Sequence, residues 1–210
     1  MIEAVFFDVD GTLLNTEEYI YQAFEHSLKH HNYEVLSRDV ISHVSGKSLE
    51  ECYREFTSKE EVFTLMEEHK KFQHENVDLV KLFPHTISTL EQIHEKDIRI
   101  AAITTRAKKS AIQSLEITGV YHLIDFFVAF EDVTTPKPDP EGIVKALAYF
   151  SIQPGEAIMV GDSPVDIEAG RNAKTSTVGV TYGFHGERIR ESKPNFVIDD
   201  ISEVLGIVKK

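Results

Sequence analysis

The stretch Asp8-Val9-Asp10-Gly11-Thr12, directly after the apolar run Ala4-Val5-Phe6-Phe7, constrains this chain more than any other. The apolar run reads as a fully buried strand. Side chains alternate along a strand, so Asp8 and Asp10 share one side. Two carboxylates crowded at the end of a buried strand repel each other and are costly to desolvate. They persist where a cation or a proton offsets that cost. Gly11 permits the tight turn by which the chain leaves the sheet. An Asx-turn closing an ordinary strand would use the same residues, and the rest of the chain decides between the two readings.

At 210 residues the chain is long enough for one large domain or a domain carrying a subdomain, with a sizeable core. The net charge of −13, with no basic block to offset it, argues against nucleic acid as a partner. A phosphorylated substrate stays open, because cations within a site outweigh the global field. The single cysteine, Cys52, excludes an intramolecular disulfide and a Cys-based zinc site, and its apolar surroundings mark it as a small core residue. The opening residues lack the basic and apolar regions of a signal peptide, and no apolar run reaches membrane-spanning length. A soluble, cytoplasmic protein without a membrane partner is the expectation; no feature calls for an oligomer, and a monomer is compatible.

From about Asn15 to Phe83 the pattern is helical throughout. Apolar residues recur at Ile20, Phe24 and Leu28 within 17–31. Ser37 suits the cap of a short helix through Val44, and Ser48 with Glu51 matches a capping box. A further helix is expected over Lys59–His74. From Pro84 strands and helices alternate. Strands are expected at Arg99–Ile103, Phe126–Ala129, Ala157–Val160, Ser176–Val180 and Phe196–Ile198. Helices are expected over Thr86–Lys96, Ala107–Ile117, Pro140–Phe150, Ser163–Ala173 and Ile201–Val208. Such alternation implies an α/β fold, a Rossmann-like parallel sheet with helices on both faces. The helical stretch is then an insert after the first strand: residues 15–83 form a cap subdomain, and 1–14 with 84–210 form the core.

In open α/β sheets ligands bind beyond the carboxyl ends of the strands, and four of these strands end in polar residues. They are Asp8 and Asp10; Thr104-Thr105-Arg106; a loop 131–139 holding Lys137 between two prolines; and Gly161-Asp162-Ser163-Pro164-Val165-Asp166. Asp8 and Asp162 are hard oxygen ligands suited to Mg²⁺. Lys137 is a fixed cation, and Thr104 offers a hydroxyl beside the amides of a helix N-terminus, both suited to phosphate. Asp10 is left to act as acid or base.

These four segments, in this order, resemble the four motifs of the haloacid dehalogenase superfamily of phosphatases and phosphotransferases. The helical insert resembles the cap of its phosphoglycolate phosphatase and β-phosphoglucomutase branch. The resemblance implies that Asp8 is the nucleophile, taking the phosphoryl group as an aspartyl phosphate. It implies that Asp10 protonates the leaving oxygen and then activates water. Mg²⁺ would be held by Asp8, Asp162 and the backbone carbonyl of Asp10. Thr104, Thr105 and Lys137 would bind phosphate, with Asp166 and Ser163 in support. Dehalogenase and phosphonatase relatives lack an aspartate at position 10, so Asp10 points to phosphoryl transfer. The start of the fourth motif and Val180-Thr181-Tyr182-Gly183 resemble the phosphatase branch. The expected activity is therefore Mg²⁺-dependent hydrolysis of a small phosphorylated metabolite, phosphoglycolate first and pyrophosphate second. A sugar phosphomutase is the alternative, and a non-catalytic phosphate-binding module a distant one.

Ser45-Gly46-Lys47-Ser48 is no P-loop, since position 41 is Ile and no strand precedes it. Lys47 is a candidate specificity contact, with a solvated lysine as the plain alternative. His26 and His30 have the spacing of a metal pair but no third ligand, and read as surface histidines. Arg106 is either a phosphate contact or a surface arginine at a helix start. Glu131 is either a support for Lys137 or a loop carboxylate. His85 stands where many relatives carry glycine.

Overall fold

The computed structural model describes residues 1–58 and 61–208. Strand β1 (Ala4–Phe7) sits at the middle of a six-stranded parallel sheet. On one side it pairs with β4 (Arg99–Ile103), which pairs with β5 (Phe126–Val128). On the other it pairs with β6 (Ala157–Gly161), followed by β7 (Ser176–Val180) and β8 (Phe196–Ile198). The order β5-β4-β1-β6-β7-β8 turns back at β1, and the crevice at such a switch point is where open α/β sheets take ligands.

Alternation along β1 divides its side chains between two cores. Val5 and Phe7 pack with Leu90, Ile93, Leu115 and Val204, from helices α5 (Thr86–His94), α6 (Lys108–Ile117) and α9 (Val204–Ile207). Ala4 and Phe6 pack with Ile143, Ala146 and Ala169, from α7 (Glu141–Phe150) and α8 (Pro164–Asn172). Cover on both faces is why β1 and β6 are buried at every position and read as unbroken apolar runs.

Between the first and fourth strands lie α1 (Glu17–His30), α2 (Arg38–Val44), α3 (Leu49–Arg54) and α4 (Val62–Glu75). Phe24, Leu28, Ile41, Val44, Cys52, Tyr53, Val62 and Leu65 form their own apolar cluster. The capping box of Ser48 and Glu51 is formed, and the Ser37 hydroxyl accepts the Val40 amide at 3.4 Å. The expected helix from Lys59 begins only at Val62; Lys59 lies outside the described residues. This stretch is not wholly helical, as the pattern suggested. β2 (Leu14–Asn15) pairs antiparallel with β3 (Lys81–Leu82), where the chain leaves for these helices and returns. Two-residue strands are too short for a period-2 pattern to register.

His85, at the entrance to α5, has φ 64°, the left-handed conformation that favours glycine. Its ring Nδ1 lies 2.8 Å from an oxygen of Asp200. Among the described residues no helix is long and apolar enough to cross a membrane.

Candidate active site

Asp8 follows β1 directly, and its amide donates to the Val160 carbonyl of β6 at 2.9 Å, carrying the ladder one residue past the strand. The chain then turns at Gly11, whose φ of +81° and amide bond to the Leu14 carbonyl at 2.8 Å close the loop. Gly11 has a second reason to be glycine. A Cβ there would lie 2.4 Å from Asp162 Oδ2. Gly183, in the loop after β7, closes the other side, since its Cβ would lie 2.3 Å from the Gly11 carbonyl and 2.4 Å from Asp162 Cβ. Asp162 is thus held between two bare backbones, and the Phe184 amide donates to its Oδ2 at 2.7 Å.

The sheet brings together Asp8, Asp162 and Asp166, with one carboxylate oxygen of each within 4.8 Å of the others. Lys137 reaches them from the loop after β5. Its ammonium donates to Asp8 Oδ1 at 2.6 Å, Asp166 Oδ1 at 2.6 Å and the Ile103 carbonyl at 2.9 Å, so all three of its donors are engaged. The other oxygen of Asp166 accepts the Ser163 hydroxyl at 2.5 Å and the Ser163 amide at 3.1 Å. Burial pushes Asp8 up to about 7 against the pull of Lys137. Burial, reinforced by Asp166 and Asp8, raises Asp162 well above the carboxylate range. Burial draws Lys137 down, yet the attraction of Asp166 and Asp8 prevails and holds it above the usual lysine range. Three buried carboxylates face one ammonium, a formal excess of two negative charges. A hard divalent cation with oxygen ligands would cancel that excess, and an all-carboxylate donor set fits Mg²⁺.

The remaining site residues divide around a cavity of about 150 Å³ between this cluster and the inserted helices. Asp8, Asp10, Thr104, Thr105, Arg106 and Phe184 line it from the sheet side; Lys47, Glu50, His69, Lys70 and Gln73 line it from the other. The Thr104 hydroxyl accepts the Arg106 amide at 3.1 Å. The Thr105 hydroxyl is directed away from the carboxylates, donating to the Gly46 carbonyl at 3.0 Å. Lys47 lines the cavity and pairs with Glu55. His69 is buried against Phe24, its Nδ1 2.9 Å from the Tyr53 hydroxyl, and burial holds it at about 3, a neutral imidazole.

Two sequence readings change. Glu131 does not support Lys137; its carboxylate accepts the Lys108 amide at 2.8 Å and caps α6. Arg106 is no surface arginine, its side chain being only 9% exposed and directed at Asp10. The Phe184 amide and Gly183 went unread as parts of the site, because a backbone donor and a close approach have no residue-type signature. The Val180–Gly183 segment was the available signal.

The sequence model of a family described as haloacid dehalogenase-like hydrolase matches residues 5–180. The chain belongs to this family. Pyrophosphatase PpaX of Bacillus pumilus is 33% identical over 211 residues, 99% of this chain and 96% of its own length. A solved structure titled as a haloacid dehalogenase-like hydrolase of Bacteroides fragilis superposes with a TM-score of 0.90 at 28% identity, covering 97% of this chain and all of that one. A predicted phosphoglycolate phosphatase of Haemophilus somnus shares the fold, with a TM-score of 0.89 at 24% identity over 99% of this chain and 98% of its own. This haloacid dehalogenase-like protein is a phosphatase enzyme.

Proposed function

We propose that the enzyme hydrolyses a small phosphorylated metabolite through an aspartyl phosphate on Asp8, with Mg²⁺ as cofactor. The observation that carries the reading is the Asp8–Lys137–Asp166 bridge with Asp162 alongside, all at the carboxyl ends of the central strands. One oxygen of Asp8 is engaged by Lys137, which orients the carboxylate and leaves the other to attack phosphorus. As the Asp8–phosphorus bond forms, the bond to the leaving oxygen breaks and Asp10 supplies that oxygen's proton. Asp10 then takes a proton from the water that cleaves the aspartyl phosphate, restoring Asp8. Asp8, Asp162 and the carbonyl of Asp10 would hold Mg²⁺, which when bound offsets charge on the transferring group. Thr104 serves the phosphoryl oxygens, Lys137 supplies positive charge beside them while its three donors stay on Asp8, Asp166 and the Ile103 carbonyl, Asp166 and Ser163 orient Lys137, and Lys47 contacts the rest of the substrate. Residues 15–83 act as a cap on the core of 1–14 and 84–210, gating the access of substrate and water to the cavity.

For the substrate we place pyrophosphate ahead of phosphoglycolate. The one-third identity to a pyrophosphatase across the whole chain favours it over the order expected from the motifs. The test is a Mg²⁺-dependent phosphate-release screen over pyrophosphate, phosphoglycolate, nucleotides and sugar phosphates, with Asp8→Asn as control. Pyrophosphate should give the highest kcat/KM, and Asp8→Asn should release no phosphate. Release that survives in Asp8→Asn refutes the nucleophile. Interconversion of sugar phosphates without release refutes hydrolysis in favour of a mutase.

A further inference from the structure

Arg106 follows β4 and begins the turn into α6, and four of the five donors of its guanidinium are engaged. Nη1 donates to Asp10 Oδ1 at 3.1 Å. Nη2 donates to the Tyr19 hydroxyl at 2.7 Å and the Ser114 hydroxyl at 2.8 Å, and Nε donates to the Ser110 hydroxyl at 3.1 Å. The planar fork is thereby fixed by partners on two helices, and its carbon lies 4.9 Å from the Tyr19 ring centre. Tyr19 in turn donates to the Gln73 carbonyl at 3.1 Å. The path Asp10–Arg106–Tyr19–Gln73 runs from the catalytic loop into α1 and α4. Asp10 has no other side-chain hydrogen-bond partner among the described residues. Asp10 lines the cavity, and its Oδ1 is held by Arg106.

We infer that Arg106 is the positioning residue for Asp10, and that Tyr19 and Gln73 make this positioning depend on the seating of α1 and α4. With four of its five donors held by protein partners, Arg106 acts on the reaction through Asp10. It fixes one carboxylate oxygen so that the other meets the leaving group. A lysine would not serve equally, because one ammonium cannot present a rigid planar fork to Asp10, Tyr19 and the two serines at once. The inference rests on Asp10 being the acid of the proposed mechanism, and the experiment separates the two claims.

The readout is the dependence of kcat/KM on the leaving group, since kcat/KM reports transfer to Asp8 and not the later hydrolysis. Phosphoglycolate departs as an alkoxide and needs a proton; acetyl phosphate departs as acetate and does not. General-acid assistance contributes roughly 10²–10⁴-fold. Asp10→Asn should therefore depress phosphoglycolate about 100-fold more than acetyl phosphate. Arg106→Gln should show the same selectivity, with a differential of about tenfold or more, and Arg106→Lys a smaller one. Tyr19→Phe removes only a hydroxyl, remains a safe variant if Arg106→Gln folds poorly, and should bias the two substrates in the same direction. Parallel losses on both substrates in Arg106→Gln and Tyr19→Phe, with Asp10→Asn still selective, would overturn the positioning role and reduce Arg106 to a packing residue. Parallel losses in Asp10→Asn itself would refute the acid assignment and this inference with it.

Discussion

Chelating divalent metal should destabilise this enzyme, and increasingly so as the pH rises. In the metal-free site burial raises Asp8 from 3.8 to about 7 and moves Asp162 in the same direction. Between those pH values the folded metal-free protein keeps a proton that the unfolded chain has released. Stability therefore falls with rising pH, at up to about 1.4 kcal/mol per pH unit for each such group. Over pH 5–7 Asp8 alone removes about 2 kcal/mol, roughly 4–8 °C in Tm for a domain of this size. On the proposed function, Mg²⁺ bound to the ionised carboxylates would remove the penalty and add stability that grows as protons cease to compete with it. Two histidines act with the opposite sign. Burial lowers His69 to about 3 and His185 to about 4, so their burial destabilises below pH 6.5 and that cost disappears as pH rises to it. Both lie outside the carboxylate cluster; His69 contributes equally with and without metal, while His185 feels Asp166 only as a minor influence beside its burial. The quantity to measure is therefore the gap between the Tm in Mg²⁺ and in EDTA, by thermal denaturation from pH 5 to 8. The gap should widen up to about pH 7, and Asp8→Asn should narrow its growth. A gap constant across this range would refute the charge argument for the site.

Gly183→Ala should cut phosphate release at least about 100-fold, because its Cβ would lie 2.4 Å from Asp162 Cβ and displacement of a site carboxylate by about 1 Å costs that much; steady-state kinetics decides. Gly46→Ala should lower kcat/KM about tenfold, since it places a Cβ 2.7 Å from Ser163 Oγ at a φ of +97° and props the 45–48 loop off the core. An unaltered kcat/KM would refute that reading. His85→Gly relieves a left-handed conformation costing about 1–2 kcal/mol. It also adds chain entropy to the unfolded state and loses the exposed Asp200 pair, each worth about 1 kcal/mol or less. Urea titration should find its stability within about 1 kcal/mol of the parent, with activity unchanged.

What the sequence made legible follows from what each feature leaves in the residue string. The strands β1, β4 and β6 are buried on both faces, so continuous apolar runs announced them within a residue of their ends. Asp8 and Asp162 were legible because each directly follows a buried strand, Lys137 because it stands between two prolines, and Asp166 because it shares the segment that begins at Gly161. β2 and β3 left no trace, being two residues each. Arg106 was ambiguous because a helix-start arginine looks alike whether it faces water or a carboxylate; only the sheet order, which sets β4 beside β1, turns it toward Asp10. His85 was noticed as a departure from glycine, and its φ of 64° supplies the physical reason why glycine suits that position.

The substrate was the least legible feature because selection lies on a seam between two parts of the chain. In the proposed mechanism the core side supplies the phosphoryl chemistry, and the inserted helices line the rest of the cavity. On that side His69 is neutral, held at about 3 by burial. The Glu50 carboxylate is engaged by Arg54 at 2.9 Å. The lysines lining the cavity from the insert are Lys70 and Lys47, the latter paired with Glu55. Contacts across the seam tie the segment that carries Lys47 to the core: Thr105 to the Gly46 carbonyl at 3.0 Å, and Arg188 to the Ser42 hydroxyl at 2.9 Å. Two lysines over a phosphoryl site suit a second anionic group, whether phosphate or carboxylate, better than the neutral hydroxyls of a sugar. Pyrophosphate and phosphoglycolate both meet that requirement. Lys47→Met and Lys70→Met should consequently raise KM for either anion far more than they lower kcat, and a fall confined to kcat would place both lysines outside substrate recognition.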